Sequence, residues 1–314
     1  MDLQDFKYVI GATCNASALV WIVTSYSGDP TTRSALRRAY PNDELQKLGI
    51  HRVFLLGMLN GEASRKTHVT QDSIYDESLK FKDIVQGNFQ EAYRNLTYKH
   101  LMGLRWAVNT CHHANYIMKM DDDIVVNLYD ILNILQTRGT IENTLMGYVL
   151  NNMLPIREPA NKWFVTQEEF ALNVYPEFLS GWLYITSSKI AEKLVSYAQV
   201  YPKYFWIDDL FITGILRNDL KIGFQSIRKF YATDYRYLKC CIKGKEKRLK
   251  CEFAIGPNGG NAELQVEFKD FAQFCRTNCS PRTEEFSVNN TCIVAHEEPN
   301  WVKGRALIEP VRML

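Results

Sequence analysis

The stretch "NYIMKMDDDIVVN" (Asn115–Asn127) decides how the chain is read. An apolar run holding one lysine, Lys119, ends in three consecutive aspartates, Asp121, Asp122 and Asp123. Like charges set so close repel one another and resist burial. The apolar run is short and reads as a buried strand, which puts the carboxylates at its C-terminal end. On an extended segment alternate side chains share a side, so Asp121 and Asp123 face the same way. Carboxylate oxygens are hard ligands that suit Mn²⁺ or Mg²⁺. Ions of this kind keep one or two protein carboxylates and fill their shell with water and substrate phosphates. The triplet is therefore a candidate metal site, with Asp121 and Asp123 as ligands, for a phosphate-bearing molecule. The plainer alternative is a solvated acidic loop, or helix N-terminal charge ahead of "LYDILNIL".

Further strands and helices alternate around this one. "ALVWIVTSY" (Ala18–Tyr26) and "HRVFLLG" (His51–Gly57) read as buried strands, and "TTRSALRRAY" as a helix stopped by Pro41. Apolar residues recur at helical steps from Phe89 to Val108, which predicts one long amphipathic helix. "LYDILNIL" predicts a helix, "LMGYVL" and "FLSGWLYIT" strands, and "DDLFITGILRND" a helix with two carboxylates in its first turn. Such alternation indicates an α/β fold with a mixed, largely parallel sheet flanked by helices. Ligands bind such sheets beyond the carboxyl ends of the strands, where the triplet lies. From about Tyr235 the alternation stops. The expected organisation is an N-terminal segment (1–17), a main domain (18–234) and a small cysteine-rich C-terminal extension (235–314).

Six of the eight cysteines fall in that extension. Cys275 and Cys279 have a possible zinc-ligand spacing, but no matching second pair exists, so disulfides are expected, with a pairing that spacing does not reveal. Sequons at Asn15, Asn95, Asn278 and Asn289 point, with the cysteines, to an oxidising secretory compartment. "ALVWIVTSY" is about half the length a bilayer span needs, and it lacks the flanks of a signal peptide. Any membrane attachment is expected through an N-terminal anchor absent from this sequence. The formal charge of +2 gives no electrostatic case for nucleic acid. The basic run "KCCIKGKEKRLKC" (Lys239–Cys251) reads as a solvated loop in preference to an acidic-glycan site.

A second acidic pair, Asp208 and Asp209, follows three aromatics, Tyr204, Phe205 and Trp206. Carboxylates at a helix start are favoured by its dipole, and aromatics are ordinarily core residues. Aromatic faces beside acids are also what a sugar site uses. One metal-and-phosphate site plus one aromatic-and-acid site implies transfer from a nucleotide sugar, with one carboxylate as general base on an acceptor hydroxyl. Two other metal readings are testable on paper. A calcium-binding helix–loop–helix starting at Asp121 needs Gly at its sixth position and a carboxylate at its twelfth; Val126 and Leu132 stand there, so it fails. A haloacid-dehalogenase-type phosphatase motif, Asp-x-Asp after an apolar strand, fits literally, although Lys119 interrupts the strand.

Five stretches in order resemble the boxes of the family 31 glycosyltransferases, the β-1,3-galactosyl- and N-acetylglucosaminyltransferases. They are "RSALRRAYP" (Arg33–Pro41), "YDESLKFKDIVQGNFQEAYRNLTYKH" (Tyr75–His100), "KMDDDIVVN" (Lys119–Asn127), "YPEFLSGWLYITSS" (Tyr175–Ser188) and "IDDLFITG" (Ile207–Gly214). The resemblance implies a GT-A type nucleotide-sugar-binding fold and an inverting hexosyltransferase. It would move galactose or N-acetylglucosamine from a UDP-sugar donor to a glycan acceptor on protein or lipid, in β-1,3 linkage, with Mn²⁺, in the Golgi lumen. It implies Asp209 as base and Asp208 on substrate hydroxyls. Asp122 and Lys99 would lie near the donor, Arg33 and Arg37 would face its phosphates, and Gly181 would let backbone approach the sugar. Trp206 is expected to touch substrate. Some relatives complete the metal site with a histidine after the base. Residues 229–239 hold none, and Asp234 is a conceivable replacement. A non-catalytic sugar-binding or chaperone protein on the same fold is the alternative.

Overall fold

The computed structural model describes residues 6–138 and 143–292. Ten strands are present among them: β1 (Tyr8–Ile10), β2 (Leu19–Thr24), β3 (Ile50–Met58), β4 (Ile84–Gln90), β5 (Tyr116–Asp121), β6 (Ile124–Val126), β7 (Thr144–Leu150), β8 (Phe178–Ser187), β9 (Gly223–Ser226) and β10 (Ile255–Pro257). Eight form one mixed sheet in the order β1-β4-β3-β2-β5-β8-β7-β9. The central strands β4, β3, β2 and β5 are parallel, and β8 runs against both β5 and β7.

Both faces of the sheet are covered, which is why its central strands read as near-continuous apolar runs. In β2, Val20 and Ile22 point into one core, against the helices Leu96–Thr110 and Ser188–Val200. Leu19, Trp21 and Val23 point into the other, against the helices Pro30–Ala39 and Leu128–Arg138. The same alternation in β5 sends Met118 and Met120 to the second core, and Lys119 and Asp121 to the side of the Leu96–Thr110 helix.

The long helix expected from Phe89 to Val108 is shorter. Phe89 lies in β4, a single turn spans Tyr93–Asn95, and the helix proper runs Leu96–Thr110. The apolar spacing of a strand and a turn happened to continue the helical period. What breaks it is Glu91, whose carboxylate accepts from the Gly57 N–H and from Ser27, holding the chain to the sheet.

The C-terminal segment joins the main body directly. β10 pairs antiparallel with β6, the strand just after the aspartate triplet. Gln265 brackets Val126, accepting from its N–H and donating to its carbonyl, and the Asn258 N–H donates to the Asp123 carbonyl. All eight cysteines are paired: Cys14–Cys111, Cys240–Cys292, Cys241–Cys251 and Cys275–Cys279. Among the described residues, no helix is long and apolar enough to cross a membrane.

Candidate active site

The β5–β8 pairing brings the two acidic clusters together. Lys119 pairs with Tyr184 across the strands, so its side chain reaches Gly181 farther back along β8. The Lys119 ammonium, 1% exposed, donates to Asp121 Oδ1 at 2.6 Å and to the Gly181 carbonyl at 2.8 Å, and lies 3.7 Å from Asp208. Burial opposes its charge, but the carboxylates outweigh burial and hold the proton on more firmly than in water. The lysine that interrupts the strand in the sequence is thus the counter-ion between the two acidic segments.

Gly181 sits between them. Its N–H donates to Asp209 Oδ2 at 3.1 Å. A Cβ there would lie 3.2 Å from Asp209 Oδ2 and 3.5 Å from Asp121 Oδ2. One point therefore lies within van der Waals reach of both carboxylates, and only a glycine leaves it open.

The adjacent aspartates differ sharply. Asp208 accepts from His100 Nδ1 at 2.8 Å, and His100 Nε2 meets the Tyr184 hydroxyl at 2.6 Å. Burial disfavours charge on the imidazole. A neutral ring that donates from Nδ1 and accepts at Nε2 satisfies both bonds. Burial alone would raise the Asp208 proton affinity, but Lys119 and His100 hold its carboxyl well below the usual range. Asp209 is pushed up to about 7, by burial first and then by the charge of Asp208. Burial raises Asp121 to about 7 against the pull of Lys119, and Asp122 to about 6. Lys119, His100 and Tyr184 carry this arrangement, and sequence reasoning assigned none of them a role. Lys119 was visible as a charge inside an apolar run; for the other two the only signal was their place in the matched boxes.

The basic residues expected near the donor form a bracket around the loop after β2. Lys99, 2% exposed, donates to the Ser25 carbonyl at 2.7 Å and pairs with Glu91. Arg33, fully buried, directs its guanidinium to Glu77 and to the carbonyls of Tyr26, Ser27 and Asp29. Arg37 pairs with Glu77 and Asp83. Arg33 and Arg37, expected to face phosphates, direct their forks to internal carboxylates here. What they hold is the 25–29 turn, whose Tyr26 N–H donates to Asp122 Oδ2 at 3.3 Å.

Trp206, expected to touch substrate, is 4% exposed and packs against the Tyr93 ring, 5.9 Å away. Asp234, the conceivable replacement for the histidine, accepts from Arg236 with both oxygens and caps the helix Tyr235–Lys243.

Among the described residues, no three His, Cys, Asp or Glu side chains converge as a metal cage. The donor chemistry still fits a hard divalent ion of the sort that takes few protein ligands. Asp121 is one-third exposed, with one oxygen on Lys119 and the other beside Gly181, and Asp123 is exposed on the same turn.

The galactosyltransferase family model matches residues 31–228. Beta-1,3-galactosyltransferase 5 of Homo sapiens is 29% identical over 229 residues, covering 72% of this chain and 71% of its own. The Mus musculus protein of that name is 30% identical over 239 residues, covering 75% and 74%. Beta-1,3-galactosyltransferase 2 of Homo sapiens is 33% identical over 199 residues, 60% of this chain and 46% of its own. A family match across that span, with a 30% identical relative over about three quarters of both chains, leaves one conclusion: the chain belongs to the galactosyltransferase family, the family 31 glycosyltransferases, and is a GT-A type glycosyltransferase that uses a nucleotide-sugar donor.

Proposed function

We propose that this enzyme transfers galactose from UDP-galactose to a hydroxyl of a glycan acceptor in β-1,3 linkage, with inversion, and that it needs Mn²⁺. The observation that carries the reading is the position of Asp209: beside Gly181, across a shared opening from Asp121, with a carboxyl that titrates near neutrality. A base is most effective when its proton affinity lies near the working pH. Galactose is preferred over N-acetylglucosamine because the relatives carry galactosyltransferase names.

In this reading Asp209 accepts the proton of the acceptor hydroxyl as that oxygen attacks the anomeric carbon and the nucleotide leaves from the opposite face. Asp208, kept ionised by Lys119 and His100, holds substrate hydroxyls and keeps the Asp209 proton affinity high. Asp121 and Asp123 would hold Mn²⁺, which when bound neutralises charge on the departing diphosphate. Asp122, fixed by the Tyr26 N–H, and the turn braced by Arg33 and Lys99 shape the donor end. The wholly paired cysteines favour an oxidising lumen, which for a glycosyltransferase of this family is read as the Golgi.

The test is UDP release from UDP-galactose and UDP-N-acetylglucosamine, with Mn²⁺ and with EDTA, against methyl glycoside acceptors. The expected result is Mn²⁺-dependent UDP release and product with the galactose donor. Absence of UDP release from either donor overturns the reading; preference for the N-acetylglucosamine donor corrects the sugar alone.

A further inference from the structure

Tyr93 and Trp163 are 47% and 43% exposed, although aromatic residues fill most of the nearby core. They come from separate parts of the chain, Tyr93 from the turn Tyr93–Asn95 and Trp163 from the connection between β7 and β8. The Tyr93 phenol lies close enough to Trp163 for the two side chains to interact, so residues far apart in the chain stand side by side here. The pair is braced from below. Tyr93 packs on the buried Trp206 ring. The Arg94 guanidinium lies 4.6 Å from the Trp206 ring centroid and is pinned by Glu169 at 2.8 Å. The Tyr204 hydroxyl donates to the Arg94 carbonyl.

This brace belongs to the Asp208–Asp209 segment: Trp206 and Tyr204 precede those carboxylates directly. Burial first, and then the charges of Asp208, Asp209 and Asp121, push the Tyr93 hydroxyl up to about 12. Exposed aromatic faces held rigid beside carboxylates match what a pyranose offers. Its C–H face stacks on a ring while its hydroxyls reach acids, and two fixed rings lose little entropy in doing so. The diphosphate end of the donor is assigned to the Asp121–Asp123 turn, which leaves the base side for the other sugar.

We propose that the Tyr93–Trp163 pair is the platform on which the acceptor sugar stacks, presenting its hydroxyl to Asp209. The proposal rests on the transferase reading above and names a specificity-determining surface within it. Its test uses methyl β-N-acetylglucosaminide, whose aglycone is too small to stack, with UDP-galactose as donor. Trp163→Ala is expected to raise the acceptor KM about tenfold and Trp163→Phe by no more than about threefold, while the donor KM moves by less than about twofold. Tyr93→Phe, which keeps the ring and loses only the hydroxyl beside Trp163, is expected to fall between them. An acceptor KM unmoved by Trp163→Ala overturns the platform, as does a donor KM that rises in step with it. Saturation-transfer NMR of the glycoside on donor-free protein gives a readout that needs no turnover. Signal lost in Trp163→Ala sustains the platform even if UDP-galactose proves inert, in which case the galactosyl reading alone falls. Equal signal in wild type and variant, or none in either, overturns it.

Discussion

Asp208 and Asp209 are neighbours with opposite proton affinities, and the cause is who sits beside each. Asp208 has a buried lysine and an imidazole donor; Asp209 has two backbone N–H groups, burial and its neighbour's negative charge. Separation of this kind divides labour between paired carboxylates. Asp209→Asn should lower kcat by at least about 10²-fold, the scale of a lost general base, with UDP affinity retained in a calorimetric titration. Near-normal turnover in that variant would remove Asp209 from the role. A base with a carboxyl at about 7 is protonated as pH falls below that value. The kcat/KM profile should therefore drop on its acid side below about pH 7. Asp208→Asn removes a charge that raises Asp209, so its acid limb should move to lower pH whatever its height. Lys119→Met removes a buried cation from between the partly exposed Asp121 and the buried Asp208. It should cost about 3–5 kcal/mol in denaturant unfolding, the scale of a broken buried pair. At this scale the carboxylates were legible from residue type and spacing. The counter-ion was not, because a lysine within a strand carries no mark of which face it takes or what lies across it.

Between elements, the sequence boxes turn out to be partners of one another. Arg33 and Arg37 of the first helix meet Glu77 of the helix Gln71–Phe81, and Arg37 also meets Asp83. Glu91 and Lys99, on either side of the Tyr93–Asn95 turn, close on Ser25, Ser27 and Gly57. These pairs fix the 25–29 turn against Asp122 without touching the reacting groups. Glu77→Gln keeps the shape but leaves the buried Arg33 guanidinium facing a neutral amide and Arg37 with Asp83 alone. The expected outcome is a destabilisation of about 3–5 kcal/mol with a weakened donor affinity. A variant with unchanged melting temperature would show that the bracket is not structural. The basic residues were legible, but their direction was not. Arginine suits a phosphate and a carboxylate equally, and only the approach of the Gln71–Phe81 helix selects the carboxylate.

For the whole molecule, the Cys14–Cys111 bridge ties the segment before β2 to the end of the Leu96–Thr110 helix, across 97 residues. Loop-closure arguments assign such a bridge about 4–5 kcal/mol. Cys14→Ser/Cys111→Ser should lower the unfolding midpoint accordingly, and an unchanged midpoint would refute the assignment. Farther along, the C-terminal segment clamps the strand after the aspartate triplet through β10 and Gln265. The α/β alternation, the two acidic clusters and the oxidised state of the cysteines were determined by the sequence, because burial period, charge density and residue chemistry are local properties; the extent of the Leu96–Thr110 helix and the short edge strands were not. The tertiary structure alone decided that Lys119 bridges Asp121 and Asp208, that the arginines turn inward, that Trp206 packs against Tyr93 and that the tail braces the triplet. Each of these depends on which strand lies beside which, and that is settled by packing of the complete chain, not by any short stretch of it.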